Sequence, residues 1–147
     1  VLVLGTLPGE RSLAAGQYYA HPQNRFWHLV GHAIGRDLAS LAYPERLDLL
    51  RAVGIGLWDT IASATRQGSL DAAIREAEAA PLAALVAKLP ALRAVAFNGV
   101  TAARIGTPQL DGSGLALLPL PSSSPANASI PLARKQQAWA QIGEFLG

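Results

Sequence analysis

Cysteine is absent from the chain, and so is methionine. The first absence excludes disulfides, thiolate nucleophiles, iron–sulfur clusters and cysteine-based zinc sites. Lysine is nearly missing: Lys88 and Lys135 are the only two. A Walker-type phosphate loop needs a lysine behind its glycines, and none stands there. Histidine occurs only at 21, 28 and 32. His28 and His32 have the i, i+4 spacing of a zinc pair, but no Glu follows His28, so no metal and no cofactor is expected. Charged residues make up 15% of the chain, the net charge is +2, and no basic run occurs. Were nucleic acid to bind, a few well-placed groups and backbone N–H donors would carry the contact. No apolar run reaches the roughly 18 residues of a bilayer span, so no membrane association is expected. The chain opens on Val1 without Met, as a trimmed or partial product would, and nothing in it looks like a signal peptide.

What is present is apolar: half of the 147 residues, enough for one domain over 1–147 with a sizeable core. Residues 1–5 form a Val/Leu run ending in Gly and read as a buried parallel strand. Residues 10–22 read as loop. A helix follows over 25–35, with Asn24 as N-cap. Pro44 opens a helix to 53, which Gly54 stops. Residues 55–58 are a second strand, with Asp59 at its end. Residues 60–69 read as irregular, Ser69 as the cap of a helix to 79, and Pro81 as the start of another to 89. Residues 94–97 are a third strand, followed by a short helix over 100–106. Residues 115–118 are a fourth strand, 119–131 a Pro/Ser/Asn loop, and 132–146 a final helix. Four alternations of strand and helix predict a three-layer α/β/α sandwich with a short, four-stranded, mainly parallel central sheet.

In such sheets ligands bind outside the carboxyl ends of the strands. Four segments fall there: Gly5–Gly9, Asp59-Thr60, Asn98-Gly99 and Leu120–Asn127. They predict a polar, nearly uncharged site lined by Ser, Asn, Tyr and backbone. A serine hydrolase would use Ser122, Ser123 or Ser124 with His21, but no acid is evidently paired with that histidine. No G-x-G-x-x-G follows the first strand, so a dinucleotide site is not expected.

Four ordered segments remain: Gly5-Thr6-Leu7-Pro8-Gly9; Tyr18-Tyr19-Ala20-His21-Pro22-Gln23-Asn24-Arg25-Phe26-Trp27; Phe97-Asn98-Gly99; and Leu120-Pro121-Ser122-Ser123-Ser124-Pro125-Ala126-Asn127. They resemble the motifs of the uracil-DNA glycosylase superfamily over nearly the whole chain. Within it they look most like the DNA-deoxyinosine (hypoxanthine-DNA) glycosylases, and next like the mismatch-specific uracil glycosylases. The resemblance implies an α/β/α enzyme that flips a deaminated base out of double-stranded DNA and hydrolyses its N-glycosidic bond. It implies a monomer located with DNA in the cytoplasm or nucleoid. A catalytically weak damaged-DNA-binding module is the alternative from another class.

Residue by residue, the resemblance makes Tyr19 the aromatic platform for the base, against a half-buried loop tyrosine. Thr6, Leu7, Pro8 and Gly9 match the first motif, which approaches the base and sugar. Many superfamily members carry Asp or Asn where Leu7 stands, and the water-positioning duty then falls to Asn24, which is equally placed to cap its helix. Asp59 would accept from N1–H of hypoxanthine or N3–H of uracil, or simply cap or pair. Asn98 would meet the base or hold loop backbone. His21 would face a phosphate or the first loop. Ser122, Ser123, Ser124 and Asn127 match the loop that presses on the DNA backbone, with Arg25, Arg134 and Lys135 as further phosphate contacts. Phe26 and Trp27 are expected in the core. No lysine falls in the motifs, so a Schiff-base lyase step is not expected.

Overall fold

The structure is a computed structural model describing residues 1–6, 10–66, 74–125 and 129–146. The elements run β1 (Leu2–Gly5), α1 (Glu10–Ala15), α2 (Phe26–Ile34), α3 (Tyr43–Val53), β2 (Gly56–Asp59), β3 (Ile61–Arg66), β4 (Ile74–Ala79), α4 (Leu82–Ala87), β5 (Ala94–Asn98), α5 (Val100–Leu110), β6 (Ala116–Leu120) and α6 (Leu132–Trp139), with a 3₁₀ turn over Ala140–Phe145.

Four strands form one sheet in the order β2-β1-β5-β6, every neighbouring pair parallel. Strand periodicity explains the layers. Val1 and Val3, with Ala94 and Ala96, point to one face and pack with Phe26, Trp27, Leu29, Leu50, Trp139 and Ile142 of the helices there. Leu2 and Leu4, with Val95 and Phe97, point to the other and pack with Leu82, Ala102 and Leu110. Both faces are covered, which is why these strands read as continuous apolar runs instead of alternating ones. The small Ala94 and Ala96 leave room on the first face for the rings of Phe26 and Trp139, which meet edge-on at 5.8 Å between centroids. Phe26 is fully buried and Trp27 is 5% exposed, so both are core, as expected.

On the second face α5 approaches β5 closely. A Cβ added at Gly106 would stand 2.3 Å from Cε1 of the fully buried Phe97 ring. Gly106→Ala is therefore expected to destabilise the protein by about 1–3 kcal/mol, through overpacking. A denaturant midpoint lowered at unchanged slope would register it.

Three local expectations are corrected. Residues 10–15 are helix, not loop. Residues 61–66 are strand, and the helix expected up to 79 is instead β4, antiparallel to β3 with Ile61 opposite Ala79 and Thr65 opposite Arg75. Ile74-Arg75-Glu76-Ala77-Glu78-Ala79 is rich in helix formers, but pairing with Ile61–Arg66 overrides local propensity. Ser69, the expected cap, lies outside the described residues. The last helix stops at Trp139 and tightens into a 3₁₀ turn, where a Cβ added at Gly143 would stand 3.3 Å from the Ala33 carbonyl on α2.

Candidate active site

The carboxyl ends of the four parallel strands bring together Gly5-Thr6, Asp59-Thr60, Asn98-Gly99 and Leu120 with the loop behind it. β1 and β2 are tied at this edge. Thr60 donates to the Gly5 carbonyl from its backbone N–H (2.8 Å) and its hydroxyl (3.0 Å), and Ile61 N–H donates to the Thr6 carbonyl. Thr6 is buried there.

Gly5 is the floor of the site. A Cβ built on it would stand 3.0 Å from the Tyr19 hydroxyl and 3.3 Å from Asp59 Oδ1. The lack of a side chain at 5 thus lets a phenol and a carboxylate converge over the end of β1. Tyr19 is half-buried, and its ring lies flat on Phe26, with 3.9 Å between centroids and 17° between planes. Its backbone is held at φ 53°, a left-handed conformation uncommon for a non-glycine residue. Neighbouring groups fix that conformation. Trp27 Nε1 donates to the Tyr19 carbonyl, Tyr18 N–H to the Tyr43 hydroxyl, and Ala20 N–H to Ser12 Oγ. Burial, then the nearby Asp59 carboxylate, then Tyr43, push the Tyr18 phenol up to about 12. Tyr18 is therefore a neutral hydroxyl at physiological pH.

Asn24 sits where α2 begins. It was expected as the N-cap; the N-cap position is Arg25, which makes no side-chain cap bond. Asn24 Oδ1 reaches past it to accept from Phe26 N–H at 3.0 Å. One lone pair of the Asn24 carbonyl oxygen is thereby used in starting the helix. His21 forms the preceding turn: its carbonyl accepts from Asn24 N–H and its Nδ1 from Gln23 N–H. With Nδ1 an acceptor, the ring proton sits on Nε2.

The loop after β6 is fixed at three points. Asn98 Nδ2 donates to Ser123 Oγ (2.9 Å), and Ser123 N–H donates back to Asn98 Oδ1 (2.8 Å). The Ser123 carbonyl accepts from Arg25 N–H at 2.9 Å. Trp139 Nε1 donates to the Pro121 carbonyl at 2.9 Å. Ser124 N–H donates to Ser122 Oγ, and both of these residues are half-buried. Ser123 is 1% exposed and its oxygen accepts from an amide, so it is no nucleophile.

Sequence reasoning thus assembled Thr6, Tyr19, Asp59, Asn98 and the three serines at one sheet edge, with Asn24 joined to it through Arg25 and Ser123. Leu7, Pro8, Gly9 and Asn127 lie outside the described residues. It missed the supports. Ser12, Tyr43 and Trp139 hold the site's backbone, yet each looks like an ordinary polar or core residue in the sequence. Among the described residues no His, Asp or Glu cluster could hold a metal.

A model of the Uracil DNA glycosylase superfamily matches residues 1–143. The chain belongs to that superfamily. Two curated relatives are named hypoxanthine DNA glycosylase. That of Methanosarcina acetivorans is 41% identical over 142 residues, covering 97% of this chain and 89% of the relative. That of Methanosarcina barkeri is 40% identical over 141 residues, covering 96% and 88%. A solution NMR structure of a candidate uracil DNA glycosylase from Methanosarcina acetivorans superposes with a TM-score of 0.86 at 40% identity, over 98% of this chain and 89% of the other. As expected, the central sheet is four-stranded, here with every neighbouring pair parallel, and helices cover it. Among the described residues no helix is long and apolar enough to cross a membrane.

Proposed function

We propose that this superfamily member is a monofunctional DNA-repair glycosylase that removes hypoxanthine from double-stranded DNA and leaves an abasic site. The observation that carries this reading is the Tyr19–Phe26 stack beside Gly5 and Asp59. It presents an aromatic face and a carboxylate to one space at the end of β1. The near-full-length relatives named hypoxanthine DNA glycosylase support the choice of base.

In this reading the extruded base stacks on Tyr19, which Phe26 backs from the core. The Asp59 carboxylate accepts from N1–H of hypoxanthine, and the neutral Tyr18 hydroxyl lies close by. The C–N glycosidic bond breaks with its electron pair leaving on the base, the sugar gains oxocarbenium character, water attacks its anomeric carbon, and the proton that the water sheds goes to the departed base or to solvent. Asn24 contributes through Nδ2–H, one lone pair of its Oδ1 being bonded to Phe26 N–H. An amide donor orients a water or a polar oxygen but takes no proton, so positioning and electrostatics carry most of the rate enhancement. Asn98 acts by holding Ser123, and through it the loop that meets the DNA backbone. His21 offers Nε2–H to a phosphate.

A strand-release assay on duplexes containing deoxyinosine, G:U, A:U and G:T tests the proposal. Deoxyinosine strands are expected to be cut after alkali faster than the other three. Faster release from G:U would make the protein a mismatch uracil glycosylase. Binding without any abasic product would make it a damage-binding module.

A further inference from the structure

One of the three cations expected at a phosphate, Lys135, takes no part in the site described above. Lys135 lies on α6 and is only 5% exposed, although lysine is among the residues least often buried without a partner. Among the described residues its ammonium makes no hydrogen bond and no ion pair; the ion pair found there joins Arg51 and Asp48. Yet no described side-chain nitrogen or oxygen is sealed from solvent while lacking a partner. The aliphatic stem of Lys135 is therefore covered, while its ammonium opens to the surface.

Its position follows from its neighbours. Lys135 and Trp139 share a face of α6, one turn apart. Trp139 donates to the Pro121 carbonyl and packs edge-on against Phe26 at the start of α2. The next residue, Gln136, bonds His28 of α2 at 2.9 Å. One turn before Trp139, Lys135 thus stands by the first residues of α2 and the serine loop, where Arg25 N–H meets the Ser123 carbonyl. Burial, then the charge of Arg25, lower its ammonium pKa. Both Lys135 and Arg134 lie in the first turn of α6, where the helix dipole is positive and cations are disfavoured. Covered stem, neighbouring cation and helix end all become favourable once an anion sits there.

We infer that Lys135 is a binding residue for one backbone phosphate of the DNA, clamped between α6 and the Pro121–Pro125 loop and shared with Arg25. This rests on the reading that the protein binds DNA. It adds a named counter-charge that Ser hydroxyls and backbone N–H groups alone do not supply.

The test is the salt dependence of binding to an undamaged duplex, read by fluorescence anisotropy for wild type, Lys135→Met and Lys135→Arg. Loss of one phosphate contact reduces the slope of log affinity against log salt by roughly 0.9. Lys135→Met is expected to show that reduction and to melt no lower than wild type, because Met keeps a covered apolar stem and removes a cation from the first turn of α6. Lys135→Arg is expected to restore the slope. A Met slope equal to wild type overturns the proposal. A measurement on the wild type guards against a variant that does not fold. With only two lysines in the chain, lysine labelled with ¹³C at Cε gives two resolvable signals. On titration with duplex, the Lys135 signal is expected to shift and that of the exposed Lys88 to stay. A stationary Lys135 signal overturns the proposal. Binding with these signatures but without excision would overturn the enzymatic reading and leave this one standing.

Discussion

Replacing Tyr19 by Ala lowers single-turnover excision of hypoxanthine by roughly 5- to 150-fold, the equivalent of the 1–3 kcal/mol that base–aromatic stacking supplies. The ring is expected to matter more than its hydroxyl, because the stack on Phe26, at 3.9 Å and 17°, is what gives the base a rigid surface. Tyr19→Phe should therefore retain most of the rate. The backbone at φ 53° is equally unfavourable for Tyr, Phe and Ala, so conformational strain cancels in these comparisons. Single-turnover rates at saturating enzyme, with circular dichroism to verify the fold, decide the matter. An Ala variant as fast as wild type would remove Tyr19 from the site.

Asn24→Ala combines two losses that a second variant separates. Removing Oδ1 leaves Phe26 N–H without its acceptor, at a cost of about 1 kcal/mol. In a chain of this size that lowers Tm by about 2–4 °C. Removing Nδ2–H takes away a preorganised donor, for which a fall of roughly 10²-fold in excision is expected. Asn24→Asp keeps the acceptor and discards the donor. It should regain the Tm of wild type and remain slow. Recovery of rate together with stability, with no new acid limb in the pH–rate profile, would leave Asn24 a structural residue only.

These expectations rest on a part of the molecule that the sequence exposes well. The two central strands of the sheet are legible because both of their faces are buried, so Leu2–Gly5 and Ala94–Asn98 are unbroken apolar runs that end in Gly or Asn. The rule that ligands gather at carboxyl ends then places Thr6, Asp59, Asn98 and the serines together before any coordinate is known. The β3–β4 hairpin was not legible. Its second strand carries Glu, Ala and Arg, and only pairing with a partner strand makes it extended. Two kinds of site detail were also hidden. That the Asn24 side-chain oxygen would accept from Phe26 N–H depends on where α2 begins, to within one residue. That Lys135 would be covered depends on how α6 meets α2, which no periodicity in α6 alone reveals.

The three ties on the serine loop have a thermodynamic consequence. Asn98, Arg25 and Trp139 hold the chain from Pro121 to Ser123 by four hydrogen bonds while the protein is free. Nothing in that stretch has to be ordered when a duplex arrives, and rigid pre-shaped contacts lose little entropy on association. The calorimetric signature of binding should then belong mainly to the nucleic acid. Heat capacity and enthalpy would track how readily a given duplex unstacks and bends, and a nick or mismatch beside the lesion would alter both while the protein's contribution stays constant.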